Sequence, residues 1–411
     1  MTPLGHCVPD FWNGLVANRR AIDRITRFDP TGLRNEKAGE VRGWSFEASE
    51  FGLSREPDLA TQFLLVAARE ALVDAGLALP DEDRTRVGAV LSTNFGGAPS
   101  WEEFVESWLA GRPSAEHFEE FAFDTALDHL YSCFGLAGPG SLLSIACASG
   151  AAAVGSAFDL IRYGRADVML CGGHDALARS PLAGLSVLRT ITPEDILPFS
   201  ANRSGTLFGE GAGLLVLEAL DHAAARGATA YCEVVGSWQN NNAYHLTAPD
   251  PGGNGMIRVL SEALADGGVQ PQELDYINAH GTGTEYHDPE ETHAIKTVLG
   301  QHAYEIAVSS IKGAIGHLMG AAGAVEAVAT VKAIETGVVP PTLNDGVPDP
   351  AMDLDYVVNQ SRPHPTSCAA TISAGVGGSN ACVVFRALQE TPEGLGVRRQ
   401  AANCCAGGEG R

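Results

Sequence analysis

Three side chains in this sequence have the chemical types and local settings for work on a carbonyl carbon: Cys147, His280 and His317. Cys147 follows the apolar run Leu142–Ala146 and precedes a predicted helix of small residues, Ala151 to Tyr163. At such a change of element the first helical amides lack partners, and the positive helix end favours a thiolate and lowers the thiol pKa. The neighbours Ala146, Ala148, Ser149 and Gly150 are small enough for a substrate carbonyl to approach the sulfur. A cysteine is more often a buried small hydrophobe, and the other eight read that way. They stand at 7, 133, 171, 232, 368, 382, 404 and 405, an odd total of nine with no C-x-x-C pair. That spacing argues against a zinc site or a disulfide framework.

His280 lies in Asn278-Ala-His-Gly-Thr-Gly-Thr284, and His317 in Lys312-Gly-Ala-Ile-Gly-His-Leu-Met-Gly-Ala-Ala-Gly323. Each follows an apolar strand. In a parallel α/β sheet the loops at the carboxyl ends of the strands gather on one edge, where ligands bind. Three Gly-rich loops at strand ends, each with a nucleophile or proton donor, are hard to attribute to packing alone. His6, His117, His174, His222, His287 and His302 read as hydrogen-bonded structural residues.

Those loops require alternating strands and helices. Residues 1–80 read as mostly helical, with the clearest periodicity over Asp58–Gly76. Strands are predicted at 86–93, 142–146 and 166–173, and residues 100–137 read as a helical cover. The pattern restarts after 230 with strands at 231–235, 276–278, 306–309, 369–373 and 381–385 and helices at 256–267, 290–299 and 320–336. GEGAGLLVLE near 210 and GVGGSNACVVF near 376 are weak echoes of each other. They suggest a duplicated α/β unit, with one half over 1–228 and another over 229–390. The segment 391–411 has no periodicity and reads as a disordered tail.

Composition narrows the functions further. Of 411 residues, 27 are Lys or Arg and 50 are Asp or Glu, giving a net charge of −23. That balance argues against nucleic-acid binding through phosphate neutralisation. No apolar run approaches the ~18 residues of a membrane helix, and the N-terminus lacks the pattern of a signal peptide. A cytoplasmic protein is expected. No P-loop or dinucleotide fingerprint is present, and neither a metal nor a dinucleotide cofactor is implied.

Cys147-Ala-Ser-Gly150 after an apolar strand, N-A-H-G-T-G-T, and K-G-A-I-G-H-L-x-G-A-A-G, in that order, resemble the elongating β-ketoacyl-[acyl carrier protein] synthases of type II fatty-acid and polyketide synthesis. Pro198-Phe199, Arg203, Gly209–Gly213, residues 243–247, Pro340–Thr342 and Gly377–Asn380 extend the resemblance across nearly the whole chain outside the tail. It implies a thiolase-like fold of two duplicated α/β halves in an αβαβα arrangement, and a homodimer or ketosynthase heterodimer. It implies that Cys147 accepts an acyl group, that His280 and His317 bind a malonyl thioester and stabilise its enolate, and that decarboxylative condensation follows. The amides of Cys147 and Val376 match the oxyanion-hole positions. Lys312, tied to Glu326, would stand behind the histidines, a pair that reads equally well as structural. Asp288 matches a structural acid, and Thr282, Thr284, Gly377 and Gly378 match positions along a phosphopantetheine arm. The partner implied is an acyl carrier protein, with substrates borne on its arm rather than on a separate cofactor. Acyl transfer or malonyl decarboxylation without elongation, and a non-catalytic partner subunit, remain alternatives.

The sequence departs from this family at three places. The family's first apolar strand is absent ahead of Thr2–Gly5, so a groove and unpaired backbone are expected in the core, together with a start codon assigned too far downstream or a truncated chain. The last glycine loop carries Val376 where the family has a gating aromatic, which predicts broader acyl acceptance. Basic carrier-docking positions are occupied by Asp58, Leu59 and Leu197, leaving Arg55, Arg203 and Lys312 as the local cations for an acidic carrier.

Overall fold

The structure, a computed structural model, describes residues 1–246, 248–388 and 394–398. Two sheets separate three layers of helices. The first sheet contains β1 (Val87–Ser92), β2 (Gly140–Leu143), β3 (Val168–Asp175) and β4 (Gly211–Glu218), in the spatial order β2-β1-β3-β4. The second contains β5 (Glu233–Asn241), β6 (Tyr276–Asn278), β7 (Ala307–Ser309), β8 (Cys368–Ala374) and β9 (Ser379–Arg386), in the order β7-β6-β8-β9-β5. In each sheet three strands run parallel and the next is antiparallel. The echo between the segments near 210 and 376 is therefore physical: they build β4 and β9, the antiparallel members of the two repeats.

Why these residues form these elements follows from burial. β3 is buried along its whole length because helices cover both faces, which accounts for its uninterrupted apolar run. Outside the first sheet lies α1 (Leu59–Asp74), which presents Phe63, Leu64, Ala68 and Leu72 to β3 and β4. α2 (Ala98–Leu109) packs on the short helix Ala115–Glu120 rather than on a strand, and α3 (Thr125–Phe134) packs on α1 and β2. Between the sheets lie α4 (Ser149–Arg162) and α7 (Ala322–Thr336), each touching strands of both. Outside the second sheet lie α5 (Asn254–Asp266) and α6 (His287–Leu299). The αβαβα arrangement holds.

Two sequence expectations need correction. Residues 1–80 are not mostly helical: beyond Val8–Val16, α1 and short 3₁₀ turns, they contain a strand pair, Ile22–Arg24 with Lys37–Gly39, and irregular chain. That segment is held by side chains instead. Buried Glu210 accepts the Val41 and Leu177 amides at 2.9 Å each and pairs with Arg27. The tail is not wholly irregular either, because Gly396–Val397 pairs in parallel with Thr229–Ala230 and Leu395 is buried. Residues 391–393 and 399–411 lie outside the described residues.

The expected groove is present. In the second sheet β5 covers the outer edge of β9, but among the described residues no strand covers the outer edge of β4. Met1 reaches it, exchanging two backbone hydrogen bonds with Ala212 and burying its amino group, whose pKa burial lowers. Beyond Ala212 the edge faces a groove of about 1140 Å³, walled by Ala71 of α1, Phe158 and Ile161 of α4, and Val325 and Val328 of α7. An alternating apolar strand of about eight residues fused ahead of Met1 is expected to pair antiparallel with β4 and raise Tm by several degrees. Differential scanning calorimetry checks this, and an unchanged Tm would show that the edge does not accept a strand.

Candidate active site

Cys147 stands on a sharp turn. β2 stops at Leu143, short of the predicted end at Ala146, and Ala146 itself takes a left-handed backbone with φ +58°. A residue with a Cβ in that region is strained unless its surroundings hold it. Ser149 provides the hold, donating from Oγ to the Ala146 carbonyl at 2.6 Å and accepting the Ile145 amide at 2.7 Å. α4 then begins at Ser149. Its first turn crosses the start of α7 at backbone contact: a Cβ on Gly150 would lie 2.6 Å from the Ala324 nitrogen, and one on Gly323 would lie 2.5 Å from the Ala151 nitrogen. Small residues at these positions allow the loop before each helix to share one site.

His280 leaves the end of β6 and is 3% exposed. Its amide and that of Gly281 donate to Glu291 at 2.7 and 2.9 Å, and its carbonyl accepts Lys312 Nζ at 2.6 Å. His317, 2% exposed, precedes α7 and donates its amide to the Leu207 carbonyl at 2.7 Å. The Met319 amide donates to His317 Nδ1 at 3.3 Å, which assigns the ring proton to Nε2. That nitrogen is buried with no protein partner among the described residues, leaving an N–H free for a ligand oxygen. The two rings lie edge to face, 5.6 Å apart at 88°, and Phe208 stacks on His317.

Electrostatics here differ from the sequence expectation. Burial pushes the Cys147 thiol up to about 11, against the lowering effects of Lys312 and of hydrogen bonds from the Val376 and Cys147 amides. The helix end does not yield a thiolate at rest, because desolvation of the sulfur outweighs it. The same two amides nevertheless both reach the sulfur. Burial, then Lys312, pushes both histidines well below the usual imidazole range, so they are neutral near pH 7. Lys312 is itself buried and paired with Glu326.

The supporting residues fall around this centre. Asp288 accepts the Phe199 amide at 2.8 Å and the Gly283 amide at 3.0 Å, tying the Pro-Phe loop to the His280 loop. Thr282 and Thr284 link through their hydroxyls at 3.1 Å. Gly377 and Gly378 take φ +90° and +81°, and Gly377 donates its amide to the Leu246 carbonyl. Val376 is half-buried. Sequence reasoning missed Glu291, within the acidic run that opens α6, and Asp175, at the end of β3. Buried Asp175 accepts from Thr93 Oγ1 at 2.7 Å and from the Asn94, Phe95 and Gly320 amides, pinning the loop after β1 to the turn before α7.

The carrier-docking positions are also corrected. Asp58 is not a surface residue: it caps α1 through the Ala60 amide at 2.8 Å and accepts from Ser100 Oγ at 2.7 Å. Leu197 is buried and Leu59 partly so. Arg55 is engaged by Glu116 and Glu119, Arg203 by Asp349, and Lys312 by Glu326. These three cations form no free basic patch.

Comparison with known proteins settles the family. Residues 1–223 match the family model described as the beta-ketoacyl synthase N-terminal domain, and residues 231–345 match the C-terminal domain. The chain is a member of the β-ketoacyl synthase family. It is 40% identical over 405 residues to 3-oxoacyl-[acyl-carrier-protein] synthase 2 of Synechocystis sp., covering 95% of this chain and 96% of that protein. It is also 40% identical to a putative polyketide beta-ketoacyl synthase 1 of Streptomyces cyaneus, over 94% and 95% of the two chains. Among solved structures, the ishigamide ketosynthase/chain length factor superposes with TM-score 0.88 at 34% identity, over 94% of this chain and 96% of that one. A type II polyketide synthase acyl-carrier protein in complex with its ketosynthase gives TM-score 0.88 at 33% identity, over 94% and 97%. The fold is thus thiolase-like, and the family is one of condensing enzymes of the acyltransferase type. Among the described residues no helix is long and apolar enough to cross a membrane. Because the resting group is a thiol, alkylation of Cys147 by iodoacetamide is expected to rise about tenfold per pH unit from neutrality toward pH 10. Mass spectrometry of the labelled peptide checks it; a plateau near pH 7 would mean a thiolate at rest.

Proposed function

We propose that this chain elongates acyl thioesters by decarboxylative condensation. The reading is supported by two neutral imidazoles 5.6 Å apart on strand-end loops, and by a thiol that accepts from the Val376 and Cys147 amides and feels the same Lys312 charge as both rings. Cys147 Sγ attacks the donor thioester carbonyl. The Cys147 and Val376 amides take the negative charge that develops on oxygen, and the carrier thiol leaves with the sulfur's proton. A malonyl thioester then seats its carbonyl against His280 and His317. Loss of CO₂ leaves an enolate, which needs fixed hydrogen-bond donors rather than a strong base; neutral imidazoles suit that role. The enolate carbon attacks the acyl-Cys147 carbonyl, and the C–S bond breaks to give a β-ketoacyl product two carbons longer.

The substrate arm runs past Thr282 and Thr284 toward Gly377 and Gly378, so no separate cofactor enters the proposal. Lys312 and Glu326 act as positioning residues, and Asp288 holds the loops. The partners are an acyl carrier protein and a second ketosynthase-type subunit, the same or related. Supporting the second, among the described residues no strand covers the outer edge of β2, Gly140 and Ser141 are exposed there, and pairing of two such edges closes a two-fold dimer. The cytoplasm is the proposed compartment.

Incubation with radiolabelled acyl-carrier thioester is expected to label Cys147, and malonyl-carrier to convert the label to β-ketoacyl product. Label without product would favour an acyltransferase, and no label a partner subunit. His280→Ala and His317→Ala are each expected to keep the label and lose roughly 10²-fold or more in condensation. Val376→Phe is expected to narrow the range of acyl chains accepted in competition assays, since a bulkier side chain restores a gate between the acyl and malonyl sides.

A further inference from the structure

His287, the first residue of α6, extends the pair of imidazoles into a row. Its ring stands 6.0 Å from that of His280 with planes at 73°, much as His280 stands to His317 at 5.6 Å and 88°. Exposure rises outward along the row: 2% at His317, 3% at His280, and 21% for the His287 side chain. Nδ1 of His280, Nδ1 of His287 and Oε2 of Glu290 are all buried without a hydrogen-bond partner among the described residues. Glu290 Oε2 lies 3.6 Å from His287 Nδ1. Such gaps are closed by a single water or a small ring rotation.

The reaction proposed above needs a proton that neither substrate supplies. Acyl thioester, malonyl thioester carboxylate and one proton give β-ketoacyl thioester, CO₂ and free carrier thiol. The electron pair of the broken C–CO₂ bond forms the new C–C bond, and the pair of the broken C–S bond stays on Cys147 as thiolate. The pocket disfavours that thiolate, and although Cys147 is itself only half-buried, the two imidazoles beside each other are buried, so return of the resting thiol draws a proton from solvent at the edge of the site.

We propose that His287, with Glu290, is the solvent-side end of a proton relay that reprotonates Cys147 through His280. The inference rests on the elongation reading. The local charges suit it. Burial pushes His287 down to about 4, and burial with Glu291 and Asp250 pushes Glu290 up to about 8. Near neutrality a carboxylic acid therefore faces a neutral imidazole. Glu291, also pushed up to about 8, is occupied by the His280 and Gly281 amides, and Asp288 by Phe199 and Gly283. Lys312, on the far side of His280, is committed to Glu326, so none of these three competes for the His287 ring. His287 acts through His280 and is a positioning and relay residue.

The test compares the full chain with His287→Gly, His287→Gln and Glu290→Gln, using acyl- and malonyl-carrier thioesters. Cys147 acylation and the first turnover are expected within about twofold of wild type. Steady-state turnover is expected to fall roughly tenfold, and further as pH rises and protons become scarce. Added imidazole should restore His287→Gly in proportion to the concentration of its acid form, and should leave wild type unchanged. Turnover unaltered in all three variants, or a loss in folded protein that responds to neither pH nor imidazole, would overturn the relay. Failure of the wild-type chain to acylate Cys147 would instead overturn the elongation reading and the relay with it.

Discussion

The crossing of α4 and α7 at Gly150 and Gly323 is the contact on which the rest of this structure depends. Helices normally pack with axes 8–10 Å apart, held off by their side chains. Here the first turns meet backbone to backbone, with room for no Cβ on either glycine. Because α4 follows the Cys147 turn and α7 follows the His317 turn, that approach draws the thiol-bearing turn of one repeat toward an imidazole-bearing turn of the other. A chain of two repeats with bulkier residues at these positions could keep both sheets and still hold its reactive groups apart.

Backbone this close to a reactive centre needs fixing, and the chain uses buried carboxylates for it. Asp175, Asp288 and Glu210 each collect two or more backbone amides from segments far apart in sequence, and Glu291 holds the two successive amides of the His280 turn. Taking a carboxylate out of water is costly, which is why burial pushes Asp175 and Asp288 up to about 6 and Glu291 to about 8. Linkage gives the sign. A carboxyl whose folded pKa is raised contributes stability that is full below its unfolded value, near 4, and lost as pH rises through the folded value. These pins therefore work against global stability at neutral pH while holding the loops in a single geometry.

The Cys147, His280 and His317 loops were legible because each combines a reactive side chain with glycines that only a turn requires. The repeat was faintly legible in two strand echoes, and the groove beside β4 in the match to a family segment at Thr2–Gly5. Other features were not. Glu291 and Asp175 look like any acid beside a helix or strand, since their function lies in amides brought to them by the fold. The thiol pKa depends on how much protein surrounds the sulfur, which local pattern does not encode. His287 read as an ordinary structural histidine because nothing in its neighbours reveals that its ring ends beside His280. Residues 1–80 were misread because their order comes from contacts with Glu210 and neighbouring segments rather than from periodicity.

The uncovered edge of β4 has a consequence for how molecules of this protein meet one another. An open strand edge is ordinarily a template on which other sheets stack into aggregates. This one is recessed between α1 on one side and α4 with α7 on the other. A neighbouring sheet carrying helices of its own meets α1, α4 or α7 before it meets β4, so these walls shelter the edge from intermolecular pairing.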